Sequence, residues 1–287
     1  MAEHTLDSPP SLLPLYTRAA VTGPLHRGTQ LPDSSYTLND QQIDPEHLAA
    51  YQKVCGFPVT DLLPPTYLHI LAFPLSVALM TEPAFPFPLI GTVHVANSIT
   101  VARAVRAGEQ VALQVRAAEL RPHAAGQQFD LLAEATVDGA VVWSGRSTYL
   151  RRGKPPEGKK RPSKDEKRSE PTPPEGATTL VRVPGDIGRR YAAVSGDRNP
   201  IHLHSLLARA FGFPSAIAHG MWVKARTLAS LQGRLPDGYT VDVAFKLPVK
   251  LPSAILIGAT RAGSGWNLDV RNSRSYKPHL SGTITSL

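Results

Sequence analysis

The spacing of apolar and polar positions divides the chain into two stretches with the same order of elements. In the first, DPEHLAAYQKVCG (44–56) predicts a helix, with Asp44 as N-cap, Pro45 in the first turn and Gly56 at the end. PPTYLHILAFPLSVALM (64–80) predicts a buried helix interrupted by Pro74. YTLND (36–40) and four longer runs, at 89–101, 110–121, 129–139 and 140–152, have the character of strands. Gly108, Gly126 and the hairpin pair Asp138-Gly139 separate them. In the second stretch, 180–183 is strand-like, 184–197 and 205–212 read as helices, and 219–235 reads as a longer amphipathic helix. Strand-like runs at 239–251, 254–263, 266–273 and 279–287 follow. A helix beside a run of antiparallel strands is an α+β layer arrangement.

The two stretches align as a diverged repeat. Tyr51, Val54 and Gly56 lie against Tyr191, Val194 and Gly196 at an offset of 140 residues, and Val101 and Val105 lie against Phe245 and Val249 at an offset of 144. The organisation expected is an arm over 1–35, a first unit over 36–152, a linker over 153–176 and a second unit over 177–287. Within the arm, LLPLYTRAAV (12–21) could form a short docking helix. The first offset sets Phe57 opposite Asp197 and Leu62 opposite His202. An apolar pair cannot move protons, so the first unit is expected to be catalytically silent.

Charge and composition narrow the picture. Of the net charge of +8, +5 falls between Arg151 and Thr172, where nine Lys/Arg face four Asp/Glu. A basic, Pro-rich segment without aromatics reads as a solvated linker. Its positive field would also suit an acidic acyl-carrier protein or coenzyme A. Nucleic acid is not indicated, because no aromatic-interleaved basic face occurs. No apolar run reaches the roughly 18 residues of a membrane span. The single Cys55 and the absence of a secretory signal pattern suggest the cytoplasm. Neither a dinucleotide fingerprint nor a phosphate loop is present.

The chemistry concentrates in Tyr191–Met221. A carboxylate and an imidazole five residues apart, Asp197 and His202, can face a single water from one short loop. Asn199-Pro200 between them favours a turn, and Asn199 can tie the loop to nearby backbone. Gly220 opens a helix whose first N–H groups lack partners, and glycine permits close approach. Ser195 is a poor nucleophile without G-x-S-x-G and is assigned to loop support. His219 is expected to stiffen the loop, and Met221 and Trp222 to pack in the core or line the pocket. His202 and His204 resemble a metal pair, but further ligands are lacking and no metal is expected.

SGDRNPIH, with AHGM placing His219 seventeen residues after His202, resembles the hydratase signature of MaoC-like dehydratases. These are (R)-specific enoyl-thioester hydratases of the hotdog fold. Over nearly its whole length the chain is similar to double-hotdog 3-hydroxyacyl-thioester dehydratases of mycobacterial type. The resemblance implies two hotdog units, each an antiparallel sheet wrapped on a central helix. It implies reversible dehydration of (R)-3-hydroxyacyl thioesters in fatty-acid or lipid metabolism, with the Gly220 amide as oxyanion donor. No cofactor is implied, since the CoA or phosphopantetheine arm belongs to the substrate. A monomer with an internal pseudo-dimer and a homodimer are both compatible with two units per chain. A hotdog thioesterase and a non-catalytic acyl-thioester-binding protein are the alternatives.

Overall fold

A computed structural model of the chain describes residues 2–22, 28–153 and 170–287. The elements of the first half are β1 (Ala2–Leu6), α1 (Leu12–Thr22), β2 (Ser34–Gln41), α2 (Pro45–Cys55), α3 (Tyr67–Met80), β3 (Thr92–Val101), β4 (Val111–His123), β5 (Gly126–Val137) and β6 (Ala140–Arg152). The second half contains β7 (Ala177–Val183), α4 (Ile187–Ser195), α5 (Pro200–Leu203), α6 (Ser205–Ala210) and α7 (Gly220–Ala229). It closes with β8 (Tyr239–Phe245), β9 (Ser253–Ala262), β10 (Gly265–Asn272) and β11 (Pro278–Ser286).

Local chemistry accounts for these boundaries. Asp44 Oδ1 accepts from the Glu46 and His47 amides, and Gly56 closes α2 in the left-handed region at φ 80°. Asp138 and Gly139 turn β5 into β6 with φ of 50° and 77°, the double positive φ of a tight hairpin. The helix expected over 219–235 stops at Ala229, where the Ser230 hydroxyl donates to the Thr227 carbonyl. It is also buried all round rather than amphipathic, because neighbours enclose both of its faces.

All eleven strands form one sheet in the order β1-β2-β4-β5-β6-β3-β8-β11-β10-β9-β7. Reading outward from β3 and from β8 gives the same sequence of pairings, with β1 as an addition at one edge. At the seam, Ser98 pairs with Asp242, flanked evenly by Ala96↔Ala244 and Thr100↔Thr240. Ser98 and Asp242 are separated by 144 positions, the second offset of the sequence repeat. The halves therefore meet about a local two-fold axis between β3 and β8. Lys224 of α7 is buried there, with Nζ 2.6 Å from Asn97 Oδ1, 3.2 Å from Asn97 O and 3.0 Å from Val241 O. Burial pushes its ammonium well below the usual lysine value, with Asp242 opposing.

Within the expected arm, β1 and α1 are regular elements docked on the first unit. β1 pairs in parallel with β2, and α1 packs on α3. Most of the basic linker, 154–169, lies outside the described residues. Among those described, no helix is long and apolar enough to cross a membrane.

Candidate active site

The loop that carries Asp197 begins where α4 ends. Gly196 turns the chain at φ 73°, and Asn199 caps α5 by accepting from the Ile201 amide at 3.4 Å. The Asp197 amide donates to Ser195 Oγ at 3.2 Å, and Asp197 Oδ1 accepts from the Asn199 amide at 3.1 Å. This commits one carboxylate oxygen to the loop and leaves Oδ2 turned to His219 Nε2, 3.8 Å away. The Asp197 side chain keeps 32% of its surface exposed, so the carboxylate reaches the cavity. Gly188 lets α5 pack against α4, since a Cβ there would overlap the His202 carbonyl oxygen.

His202 Nδ1 lies 2.8 Å from the Ile217 carbonyl. A carbonyl can only accept, so Nδ1 carries the proton and Nε2 of the neutral ring is left as a base. Burial lowers the His202 pKa, while the Asp197 charge and the Ile217 bond oppose the shift. His219, 2% exposed, donates from Nε2 to the Asp197 carbonyl at 3.0 Å, and its ring stacks on His202 at 3.7 Å between centroids. Burial, and next the adjacent His202, push His219 down to about 3. Donor atoms of Asp197, His202 and His219 lie within 4.8 Å of one another, the spacing a three-ligand cation site would need. However, His219 Nε2 is already committed to the Asp197 carbonyl.

Gly220 starts α7 with no side chain capping its first turn, so its leading N–H groups are open to an anionic oxygen. A Cβ at Gly220 would stand 3.0 Å from Phe245 Cδ1 and Cε1, tighter than ordinary contact. Asp197, His202, His219, Gly220 and Met221 border a cavity of about 420 Å³ that continues over Ile70, Phe73 and Met80 of α3. Trp222 is placed elsewhere. Successive helix positions diverge by about 100°, so Met221 toward the cavity puts Trp222 against α2, where Nε1 donates to the Val54 carbonyl.

The first half retains a cavity of about 460 Å³, bordered by Phe57, Leu62, Trp143 and Tyr239, but no histidine among the described residues lines it. The leading amide of α3 is also spent, since Tyr67 N donates to the Pro64 carbonyl at 2.8 Å. This cavity lacks both the proton-transfer pair and the open helix start.

The MaoC like domain family matches residues 164–284. The 3-hydroxyacyl-thioester dehydratase X of Mycobacterium tuberculosis is 37% identical over 262 residues, covering 91% of this chain and 92% of that protein. The chain belongs to the MaoC-like dehydratase family. A crystal structure of HtdX from Mycobacterium tuberculosis superposes with a TM-score of 0.77 at 35% identity, covering 88% of this chain and 100% of that one. A MaoC-like dehydratase from Phytophthora capsici shares the fold at 17% identity, with a TM-score of 0.71 over 90% of this chain and 96% of that one. The architecture is the α+β double hotdog.

Some lining residues of this MaoC-like chain carried no sequence signal. The first half contributes His69, His94 and Tyr149 to the cavity, with His94 stacked on Tyr149 at 4.7 Å. Burial lowers His69 to about 4, with Lys224 adding to the shift. Tyr16 of α1 also lines the cavity. Only the wrapping of the N-terminal segment over α3 brings it there.

Proposed function

We propose that the chain is a hydro-lyase that reversibly dehydrates (R)-3-hydroxyacyl thioesters, hydrating trans-2-enoyl thioesters in the reverse direction, in fatty-acid or lipid metabolism. The observation that carries the reading is that the Asp197 carboxylate and His202 present donor atoms within 4.8 Å of each other, with His202 Nε2 unprotonated, beside the open start of α7. In hydration, Asp197 and His202 hold one water against C3 of the enoyl group. The water oxygen bonds to C3, its proton passes to this pair, and a proton is delivered at C2. Charge that develops on the thioester oxygen meets the Gly220 N–H and the positive end of α7. His219 fixes the Asp197 peptide, and Asn199 and Ser195 hold the loop.

The reaction transfers no electrons and needs no redox cofactor. The CoA or phosphopantetheine arm arrives with the substrate, and we place the enzyme in the cytoplasm. A purified chain should hydrate trans-2-enoyl-CoA or the corresponding carrier-protein thioester, read as loss of enoyl-thioester absorbance. Absence of turnover across a chain-length series on both carriers would overturn the reading. Release of free CoA from saturated acyl-CoA without hydration would favour a hotdog thioesterase instead.

A further inference from the structure

The loop bearing Asp197 is held from inside by Ser195, Asn199 and His219, and from outside by a residue of the N-terminal segment. The Tyr16 hydroxyl donates to the Gly196 carbonyl at 3.4 Å and accepts from the Arg198 amide at 3.2 Å. These groups flank Asp197 on either side, so one hydroxyl spans the residue. Leu12, one turn earlier on α1, packs on Gly196 so closely that a Cβ there would overlap its Cδ1. Phe73 of α3 approaches the same glycine from the cavity side. Helix α1 is itself anchored by its packing on α3 and by the β1–β2 pairing before it.

We propose that Tyr16 is a positioning residue for Asp197, and that α1 is thereby a working part of the active site. The proposal rests on the hydro-lyase reading of that site. Burial and the nearby Asp197 carboxylate push the Tyr16 phenol upward, so it remains protonated and able to donate to Gly196. Three groups fix the Asp197 loop on its own side of the molecule, while Tyr16 hydrogen-bonds it to α1 and Leu12 packs beside that bond. Without the hydroxyl the Gly196 carbonyl and Arg198 amide lose this tertiary hold, and the loop becomes free to open locally. Small misplacement of a reacting group slows the chemical step more than it weakens binding.

Tyr16→Phe keeps the ring and its packing and removes the bridge alone. We expect kcat for enoyl-thioester hydration to fall about tenfold with KM within about twofold, and the Arg198 amide to exchange hydrogen about tenfold faster. Leu12→Ala should give the same kcat-selective loss by loosening the clamp at Gly196. Leu13→Ala, exposed on the same helix, should be neutral. Unchanged kcat and unchanged Arg198 exchange in Tyr16→Phe would overturn the proposal. So would a loss confined to KM, which would make Tyr16 a pocket wall only. If the wild-type chain hydrates no enoyl thioester, the functional reading fails on its own. Arg198 exchange then decides for Tyr16, faster exchange supporting the clamp and unchanged exchange overturning it.

Discussion

The start of α7 offers a sharp test of the proposed oxyanion site through Gly220→Ala. The added Cβ would lie 3.0 Å from Phe245 Cδ1 and Cε1, about half an ångström inside the usual carbon–carbon optimum. Either the Phe245 ring swings into the cavity or the first turn of α7 retreats. The N–H survives in both cases but no longer meets the thioester oxygen squarely. Complete loss of such a donor costs about 3 kcal/mol in the barrier. Displacement should therefore cost ~1.5–3 kcal/mol, a fall in kcat of roughly 10- to 100-fold. Alanine is favoured over glycine in a helix, so Tm should hold. The Phe245→Leu background removes the ring that the Cβ meets, and the penalty of Gly220→Ala there should shrink by at least ~1 kcal/mol. The assay is enoyl-thioester hydration by the four proteins of the cycle. Gly220→Ala within about twofold of wild type, or an equal penalty in both backgrounds, would refute the reasoning.

Three further outcomes follow from the buried charges and rings. Burial holds His202 below the usual imidazole value, so the acid limb of kcat/KM for hydration should lie below about pH 6.5, and a limb above that would contradict a neutral His202 base. His219 is lowered to about 3, so between that value and about pH 6.5 the unfolded chain binds a proton that the folded chain does not. Its contribution to stability is present above that window and is lost as pH falls through it, at about 1.4 kcal/mol per pH unit. Urea unfolding of His219→Gln should show a slope shallower by that amount. Lys224→Met removes three hydrogen bonds to buried oxygens at the seam of the halves and should cost about 3 kcal/mol. That is a drop in Tm of several degrees by calorimetry, whereas an unchanged Tm would show that the seam does not depend on the ammonium.

Much of the fold was legible because its signals are local. Asp44, Pro45 and Gly56 announce α2, Asp138-Gly139 announces a hairpin, and the 144-residue offset is the separation of the central strand pair Ser98 and Asp242. Asp197, His202, His219 and Gly220 were legible as a set, and the structure brings them to one cavity. What escaped the sequence depends on long-range packing. β1 forms only because β2 offers it an edge. Tyr16 reaches residues 196 and 198 across some 180 positions of chain, and His69, His94 and Tyr149 enter the cavity from the other half. Of the two places open to Met221 and Trp222, helical phase sends Met221 to the cavity and Trp222 into the core against α2.

The central claim is that Asp197 and His202 together activate one water at C3 of an enoyl thioester. It is tested most directly by kcat/KM for trans-2-enoyl-thioester hydration in Asp197→Asn and His202→Gln, each verified as folded. The account predicts a fall of about 10³-fold or more in both variants, as for loss of a positioned acid–base group. Either variant retaining activity within about tenfold of wild type would contradict the assignment of that residue to the chemical step.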